Sequence, residues 1–565
     1  MFSKTVISRI SIVGVITACI IAACGFQFAS NIENAFSDVF FRIKGNSLST
    51  QPINIIEITN ADIDKIGRWP WKRMWHAAMT KVLTDLGAKV IYFDVIFSEK
   101  ADDVDDALFA EAIKASGKVY LPYIFSGKNY DNDSALYPIE RFSSSVKNMG
   151  SMNIYPDMDG SIRRMPMVFL SGKGEASPHV VLRMASDYLG QKIDTAEIKN
   201  EKLILSGAPG RNAIVVPLID HTNLLINWRG TWTKSFRHYD FLDVLAAFQK
   251  SADGEAPDMD LKVFKNSICL IGISAYGLYD IKPVPVESEY PGIGIIANAL
   301  DTILSKSFMR VLPFWMGALI MVVISFLLVF ILQGKNPVIE NIFVAILVCG
   351  YLVASYLVFV CGYKLPVFTV LFSTLLNSVA LGTYNFVCSN IEKKQLLKIS
   401  ITDGLTGLYN IRYAKMMLEN EIQAVLHGMT KVFSIIMCDL DHFKRVNDTY
   451  GHQIGDLVLK ETASVLKTSV RGSDIVARYG GEEMLVILRS TTLEYALEIG
   501  EKIRLNIQNK EIRDEKQRYP VTSSVGVSSY IKGDTLDSVI KRADEALYVA
   551  KEKGRNIVCT IQNKP

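Results

Sequence analysis

The stretch RYGGEEM, Arg478–Met484, stands between two apolar runs, DIVA before it and MLVIL after it. It reads as a hairpin with two glycines and two acids at its tip. Ordinary hairpin turns favour Asn-Gly or Asp-Gly and have no need of paired carboxylates. Glu482 and Glu483 therefore raise the question of a partner, and a second acidic pair precedes them. The apolar strand VFSIIMCDLDHF, Val432–Phe443, ends in Asp439 and Asp441, two residues apart and so on one face of a strand. If hairpin Ala477–Leu488 lies beside Ser434–Cys438 in one sheet, the carboxylates converge on one edge.

Carboxylates brought together repel unless a cation joins them, and oxygen-only ligands suit Mg²⁺ or Mn²⁺. Gly480 and Gly481 let the backbone approach a phosphate and turn N–H groups towards it. Lys444, Arg478, Lys551 and Arg555 are candidate phosphate cations. Lys551 and Arg555 close the helical stretch LDSVIKRADEALYVAKEKGRN, which begins at Leu536 and stops at Gly554. Taken singly, each is an ordinary surface charge. Taken with the paired acids and Gly-Gly, they fit a nucleoside triphosphate site, and the absence of GxxxxGK[ST] calls for a cradle other than a P-loop.

Asn447 and Asp456, in RVNDTYGHQIGDLVLKETASVL, are placed to flank a base. A carboxylate accepts from guanine N1–H and N2–H₂ together, and adenine offers no such pair of donors. Alone, Asp456 reads as the N-cap of a helix over Leu457–Leu466. Arg471-x-x-Asp474 alone reads as a surface ion pair.

The rest of the chain sets this module in context. At 565 residues it is long enough for two or three domains. Its hydrophobic content is 49% and its mean hydropathy +0.21, high for a soluble protein. The net charge of +3 gives no reason to expect a nucleic-acid partner. The apolar excess lies in long runs, at 10–28, 312–332, 342–361 and 367–387, each long enough to span a bilayer. The small residues near AAC leave a cleaved signal peptide open for the first run.

Lys4 and Arg9 before the first run, and Lys393, Lys394 and Lys398 after the last, place both termini in the cytoplasm. Residues 1–9 and 388–565 are then inside, and 30–310 outside. A transporter is the competing architecture, but the runs carry no intramembrane acid or base. Of eight cysteines only Cys269 falls in the outer module, so a disulfide within it is excluded. Cys438 and Cys559 would sit reduced in the inner core.

The outer module has an α/β rhythm: strand INIIEIT (Ile53–Thr59), a helix, buried strand Val90–Phe97, buried strand SICLIGIS (Ser267–Ser274), and a last helix leading to the span at Leu312. Asp94 and Asp280 sit near strand ends and read as turn and cap chemistry. Residues 388–402 read as a linker helix, single or paired in parallel with a second copy.

Two resemblances follow. GRWPW, GAKVIYFDVIF, GLYDIKPVPV and YPGIGIIANALDTIL resemble the second class of CHASE sensor domains across most of 30–310. This implies extracytoplasmic sensing of a ligand it does not name. DGLTGLYN, CDLDHFKRVNDTYGHQIGD, RYGGEEM and AKEKGRN resemble, in order over 395–562, the GGDEF family of diguanylate cyclases.

The second resemblance implies a ferredoxin-like, nucleotidyl-cyclase-like α/β fold that condenses two GTP into cyclic di-GMP and two pyrophosphates. It implies Mg²⁺ or Mn²⁺, two ions per GTP site, on Asp439, Glu483 and the Leu440 carbonyl, with Glu482 as the acid/base group. Asn447 and Asp456 match guanine-reading positions. Lys444, Gly480, Gly481, Lys551 and Arg555 match phosphate contacts. Arg471 and Asp474, with Arg478, match a product-inhibition site. The reaction needs two facing sites, hence a homodimer through the linker and catalytic modules. Met484 stands where the family has Phe, and Asn410-Ile411-Arg412 where it has Asn-Arg-Arg; the first is expected to cost a little packing.

The fold class expected is thus a multi-domain membrane protein: an α/β extracytoplasmic sensor, four transmembrane helices and a cytoplasmic α/β GGDEF domain. The alternatives are a catalytically silent receptor for GTP or cyclic di-GMP, and a cyclase using other purines, against which Asp456 speaks.

Overall fold

The structure is a computed structural model, and it describes residues 4–23, 27–127, 130, 135–171, 175–199, 201–207, 212–275, 277, 280–333, 336–514 and 517–561. Contacts divide the chain into two compact units, Met1–Tyr384 and Asn385–Pro565.

The first unit is built on a mostly parallel sheet. Its path runs Arg237–Asp240, Ile53–Ile58, Ile268–Ile273, Val90–Phe93, Val119–Phe125 and the short Ala135–Leu136, with Asn148–Ser151 also on Val119–Phe125. Parallel strands are joined by helical crossovers that cover both faces, so the central strands are largely apolar and buried, while the edge strand Arg237–Asp240 is polar and partly exposed. One face holds Ile56, Ile91, Phe93 and Ile271 against helices Arg73–Asp85, Asp103–Ser116 and Phe241–Ala252. The other holds Ile55, Val90, Tyr92 and Leu270 against Val180–Leu189 and Gly292–Leu304. The buried strand expected over Val90–Phe97 ends at Phe93, although the Asp94 N–H still donates to the Ile271 carbonyl, 2.8 Å. Asp94 accepts from the Tyr92 hydroxyl, 2.9 Å, and Asp280 pairs with Lys282, 2.8 Å, as turn and strand-end chemistry requires. Cys269 is a buried free thiol.

Among the described residues four helices are long and apolar enough to cross a membrane: Val6–Ala23, Phe314–Ile331, Pro337–Val360 and Phe368–Gln395. The first expected run, 10–28, extends into 24–26, which lie outside the described residues. Neutral groups supply the polar contact inside the set. The Asn377 side-chain amide donates to Thr17, 3.1 Å, and to Ser325, 3.1 Å, joining three of the four helices. The last span, which carries Asn377, is part of a single helix, Phe368–Ile401, so it and the expected linker helix are one element.

The second unit is a six-stranded sheet, in the order Tyr409–Asn410, Ile475–Gly480, Glu483–Arg489, Phe433–Leu440, Ser523–Ser529, Val558–Cys559. The central four strands are antiparallel. Ile436, Cys438, Met484 and Val486 face helices His452–Ser469 and Leu493–Asn509. Ile435, Met437, Leu485 and Ile487 face helices Ile411–Leu426 and Leu536–Glu552. Gly526 sets the spacing of the last of these, since a Cβ there would collide with the Ala543 carbonyl and the Leu547 amide.

Candidate active site

Period-two alternation decides what the strands present at their ends. Asp439 follows Ile435 and Met437 in parity, and Glu483 precedes Leu485 and Ile487. Both acids therefore stand on the face covered by helix Leu536–Glu552. The antiparallel register pairs Asp439 directly with Glu483. The helix brings Lys551 over the same edge, its Nζ 2.9 Å from Asp439 Oδ1. Hairpin and acidic strand thus lie side by side, the arrangement under which the carboxylates converge.

Burial raises the Asp439 pKa, and the fields of Glu482 and Asp441 add to it while Lys551 opposes. Burial raises Glu483 as well, with Asp439 and Asp544 adding to it. Asp544, on the Lys551 helix, is a neighbour that the sequence motifs did not single out. Among the described residues no group of three or more His, Cys, Asp or Glu side chains is placed to hold a metal. Two carboxylates and a strand-end carbonyl, Leu440, nonetheless fit a cation that also takes phosphate and water oxygens, the usual state of Mg²⁺. Both acids are destabilised as anions here, and a cation relieves that.

Asp441 does not join this pair. Its carboxylate accepts from the Thr522 hydroxyl, 2.7 Å, the Ser524 hydroxyl, 2.6 Å, and the Asn556 N–H, 3.0 Å. The strand ends at Leu440, so alternation no longer governs Asp441. It ties the acidic strand to its neighbour and to the chain that follows Arg555.

At the tip, Gly481 has φ +23° and is exposed. A Cβ on Gly480 would stand 3.3 Å from Glu483 Oε2. Arg478 donates through Nε and Nη2 to the Gly481 carbonyl, 2.9 and 2.7 Å, and pairs with Asp403, 3.2 Å. Arg478 thus braces the turn. Arg471 and Asp474 precede the other end of that strand, where Asp474 accepts from the N–H groups of Arg471, 2.9 Å, and Arg489, 3.3 Å. Arg471 and Asp474 thus lie before the start of strand Ile475–Gly480, and Arg478 lies within it, turned to the Gly481 carbonyl and Asp403.

Lys444 is exposed and Asn447 partly buried on helix Phe443–Tyr450, one turn apart and on one side. Gly451, φ +85°, turns the chain into helix His452–Ser469. That helix begins four residues before Asp456, so Asp456 is not its N-cap; it is an exposed side chain beside Gly455. A Cβ at Gly455 would overlap Asn447 Oδ1, which brings Asn447 close to the turn carrying Asp456. Arg555 is exposed at φ +63°, past the Lys551 helix.

Comparison with known families now adds to the geometry. The model of the CHASE2 domain matches residues 14–330, and that of the diguanylate cyclase GGDEF domain matches 400–557. The chain belongs to the CHASE2 family and carries a GGDEF domain. Diguanylate cyclase A of Treponema denticola is 40% identical over 176 residues, 31% of this chain and 47% of the relative. Response regulator PleD of Caulobacter vibrioides is 43% identical over 165 residues, 29% of this chain and 36% of the relative. This chain therefore spans about half or less of these curated relatives. The solved coiled coil and GGDEF domain of DgcB from Caulobacter crescentus, in complex with c-di-GMP, is 30% identical; it covers 33% of this chain and 98% of its own, with a TM-score of 0.32. Within the GGDEF domain, Met484 is fully buried on the face opposite Glu483.

Proposed function

We propose that this chain is a membrane-bound diguanylate cyclase, condensing two GTP into cyclic di-GMP with release of two pyrophosphates, under control of an extracytoplasmic CHASE2 sensor. The observation that carries the reading is Asp439 in register with Glu483 beside the Gly-Gly turn. Both termini lie in the cytoplasm, with the sensor across the cytoplasmic membrane and its ligand unassigned.

Asp439, Glu483 and the Leu440 carbonyl would hold Mg²⁺ or Mn²⁺, which when bound neutralises charge on the phosphates. Lys444, Lys551 and Arg555 hold phosphate oxygens, with Gly480 and Gly481 giving the backbone room. Asn447 and Asp456 read guanine. The 3′-oxygen of one GTP forms a bond to the α-phosphorus of the other as the bond to pyrophosphate breaks, and Glu482 accepts the hydroxyl proton. Each site supplies one nucleotide, so the active species is a two-fold homodimer joined through the linker helix and GGDEF domains. Arg471 and Asp474 bind cyclic di-GMP as an inhibitor.

The competing reading is a silent receptor for GTP or cyclic di-GMP. The carboxylates at 439, 482 and 483 favour turnover. Residues 388–565 and the full chain, each given GTP and Mg²⁺, should yield cyclic di-GMP by mass spectrometry. A confirmed dimer that binds GTP and yields none would favour the receptor.

A further inference from the structure

Two adjoining hollows open at the membrane edge of the first unit, about 410 and 530 Å³ in volume. They share Ser30, Asn34, Leu312, Phe314 and Lys364. The floor is apolar and made by the start of a candidate span: Gly317, Ala318 and Met321 of helix Phe314–Ile331. The other end is polar, lined by Arg163, Arg164 and Asp157.

The depth of this cleft is marked by its surroundings. Trp315 is 63% exposed and Tyr363 38%, and Arg310 donates to the Tyr363 hydroxyl, 3.1 Å. Exposed Trp, Tyr and Arg at the start of an apolar helix mark the level of lipid headgroups. The cleft therefore runs from headgroup depth into the hydrocarbon.

Its charges are unequally matched. Arg163 is paired with Asp38, Asp157 and Asp159, and Arg164 with Asp157 and Asp220. Glu33, the acid whose field acts most on Lys364, accepts from the Val367 N–H, 2.8 Å, the Thr369 N–H, 2.9 Å, and the Thr369 hydroxyl, 3.0 Å. Lys364 donates to a neutral acceptor, Asn34 Oδ1, 2.7 Å. Among the described residues no carboxylate lies within ion-pair distance of it. Burial holds its pKa down to about 8, with the field of Glu33 acting in the other direction. An ammonium carries three donors, and an anion facing this cleft would take the others.

We propose that the cleft seats a phospholipid from the leaflet beside the sensor, its phosphate on Lys364 and one acyl chain along Gly317, Ala318 and Met321. Inorganic phosphate would satisfy the lysine and leave the apolar floor bare. The joint presence of both halves selects an amphiphile. The lipid then bridges the sensor helix Gln27–Lys44, the second candidate span and the loop that starts the fourth.

The full-length chain in detergent provides the test, read by native mass spectrometry and by assay of co-purified phospholipid phosphorus. Wild type should retain phosphatidylglycerol added in mixed micelles. Lys364→Gln should weaken retention about tenfold, the loss expected for one hydrogen bond to a charged group. Lys364→Arg should keep it, and Ala318→Phe should weaken it by filling the floor. Lys234→Gln, an exposed lysine elsewhere on the sensor, should leave it unchanged. Equal retention by Lys364→Gln and wild type would overturn the proposal. So would displacement of the lipid by millimolar inorganic phosphate, which would make this an anion site only.

Discussion

Arg478 Nη1 lies 3.2 Å from Asp403 Oδ1, joining the turn of RYGGEEM to the DGLTGL segment that opens the GGDEF domain. Asp403 also accepts from the Thr406 N–H, 2.8 Å, and hydroxyl, 2.7 Å. The same guanidinium holds the Gly481 carbonyl. One side chain therefore fixes the turn against the domain entrance.

Arg478→Ala should loosen the turn and lower turnover. Asp403→Asn should do the same, and the double variant should be less than additive, with a coupling of about 0.5–1 kcal/mol for a partly exposed pair. Burial pushes the Asp403 pKa up, but hydrogen bonds from Thr406 and the Arg478 charge outweigh it, so the net shift is downward from 3.8. A depressed carboxylate stabilises the fold above its unfolded value and loses that contribution as pH falls through its folded value. The stability gap between wild type and Asp403→Asn should therefore be full at neutral pH and close in the window below 3.8. Urea unfolding of residues 388–565 across pH checks this, and a gap that persists below that window would refute it.

Glu482→Gln should cut turnover by about 10²–10⁴-fold, the usual worth of a positioned general base. GTP binding should survive, since Glu482 is assigned to the proton and not to the base or phosphates. Equilibrium binding measured beside product formation separates the two, and wild-type turnover in the variant would refute the role.

Much of this site was legible because it follows from alternation. Asp439, Glu483 and Met484 each fall on the face that their parity requires. Contacts across long stretches of chain were not legible. Arg478 and Asp403 are 75 positions apart, and nothing in either motif announces the pair. Asp441 looked like half of an acidic pair because a strand was assumed to continue through it. The Asp456 helix starts at His452, after a positive-φ glycine, and that removes the N-cap reading. In the sensor, individual strands could be read, but Ile268–Ile273 pairs between Ile53–Ile58 and Val90–Phe93, an insertion that only non-local packing decides.

Divalent metal should stabilise the GGDEF domain. Asp439 and Glu483 stand side by side on one face of the sheet, and both anions are disfavoured first by burial, then by neighbouring carboxylates: Glu482 and Asp441 for Asp439, Asp439 and Asp544 for Glu483. Mg²⁺ at 100 times its Kd should raise stability by about 2.7 kcal/mol through linkage. Asp439→Asn should abolish most of that rise and also reduce the dependence of stability on chelator. Thermal unfolding with Mg²⁺ and with EDTA is the measurement; an equal Mg²⁺ effect in the variant would remove Asp439 from the metal site.

Met484 is fully buried among Ile436, Cys438 and Val486. Met484→Ala should cost about 2–5 kcal/mol by opening a cavity. Met484→Phe adds volume at an adaptable position and should change stability by less than about 1.5 kcal/mol. Turnover per folded domain should stay near wild type, because the side chain points away from Glu483. A large activity change at unchanged stability would mean that this position shapes the turn itself.

Product inhibition is best tested at Arg471. Asp474 is engaged by two backbone N–H groups, so replacing it would also disturb the turn between helix His452–Ser469 and the hairpin. The Arg471 side chain is exposed, and its backbone N–H makes the contact with Asp474. Arg471→Ala should therefore preserve the fold and the initial rate while raising the cyclic di-GMP concentration needed for half inhibition about tenfold or more, as for loss of a charged hydrogen bond. Initial rates against added product give the answer. A variant as sensitive as wild type would mean that feedback does not act through this corner of the domain.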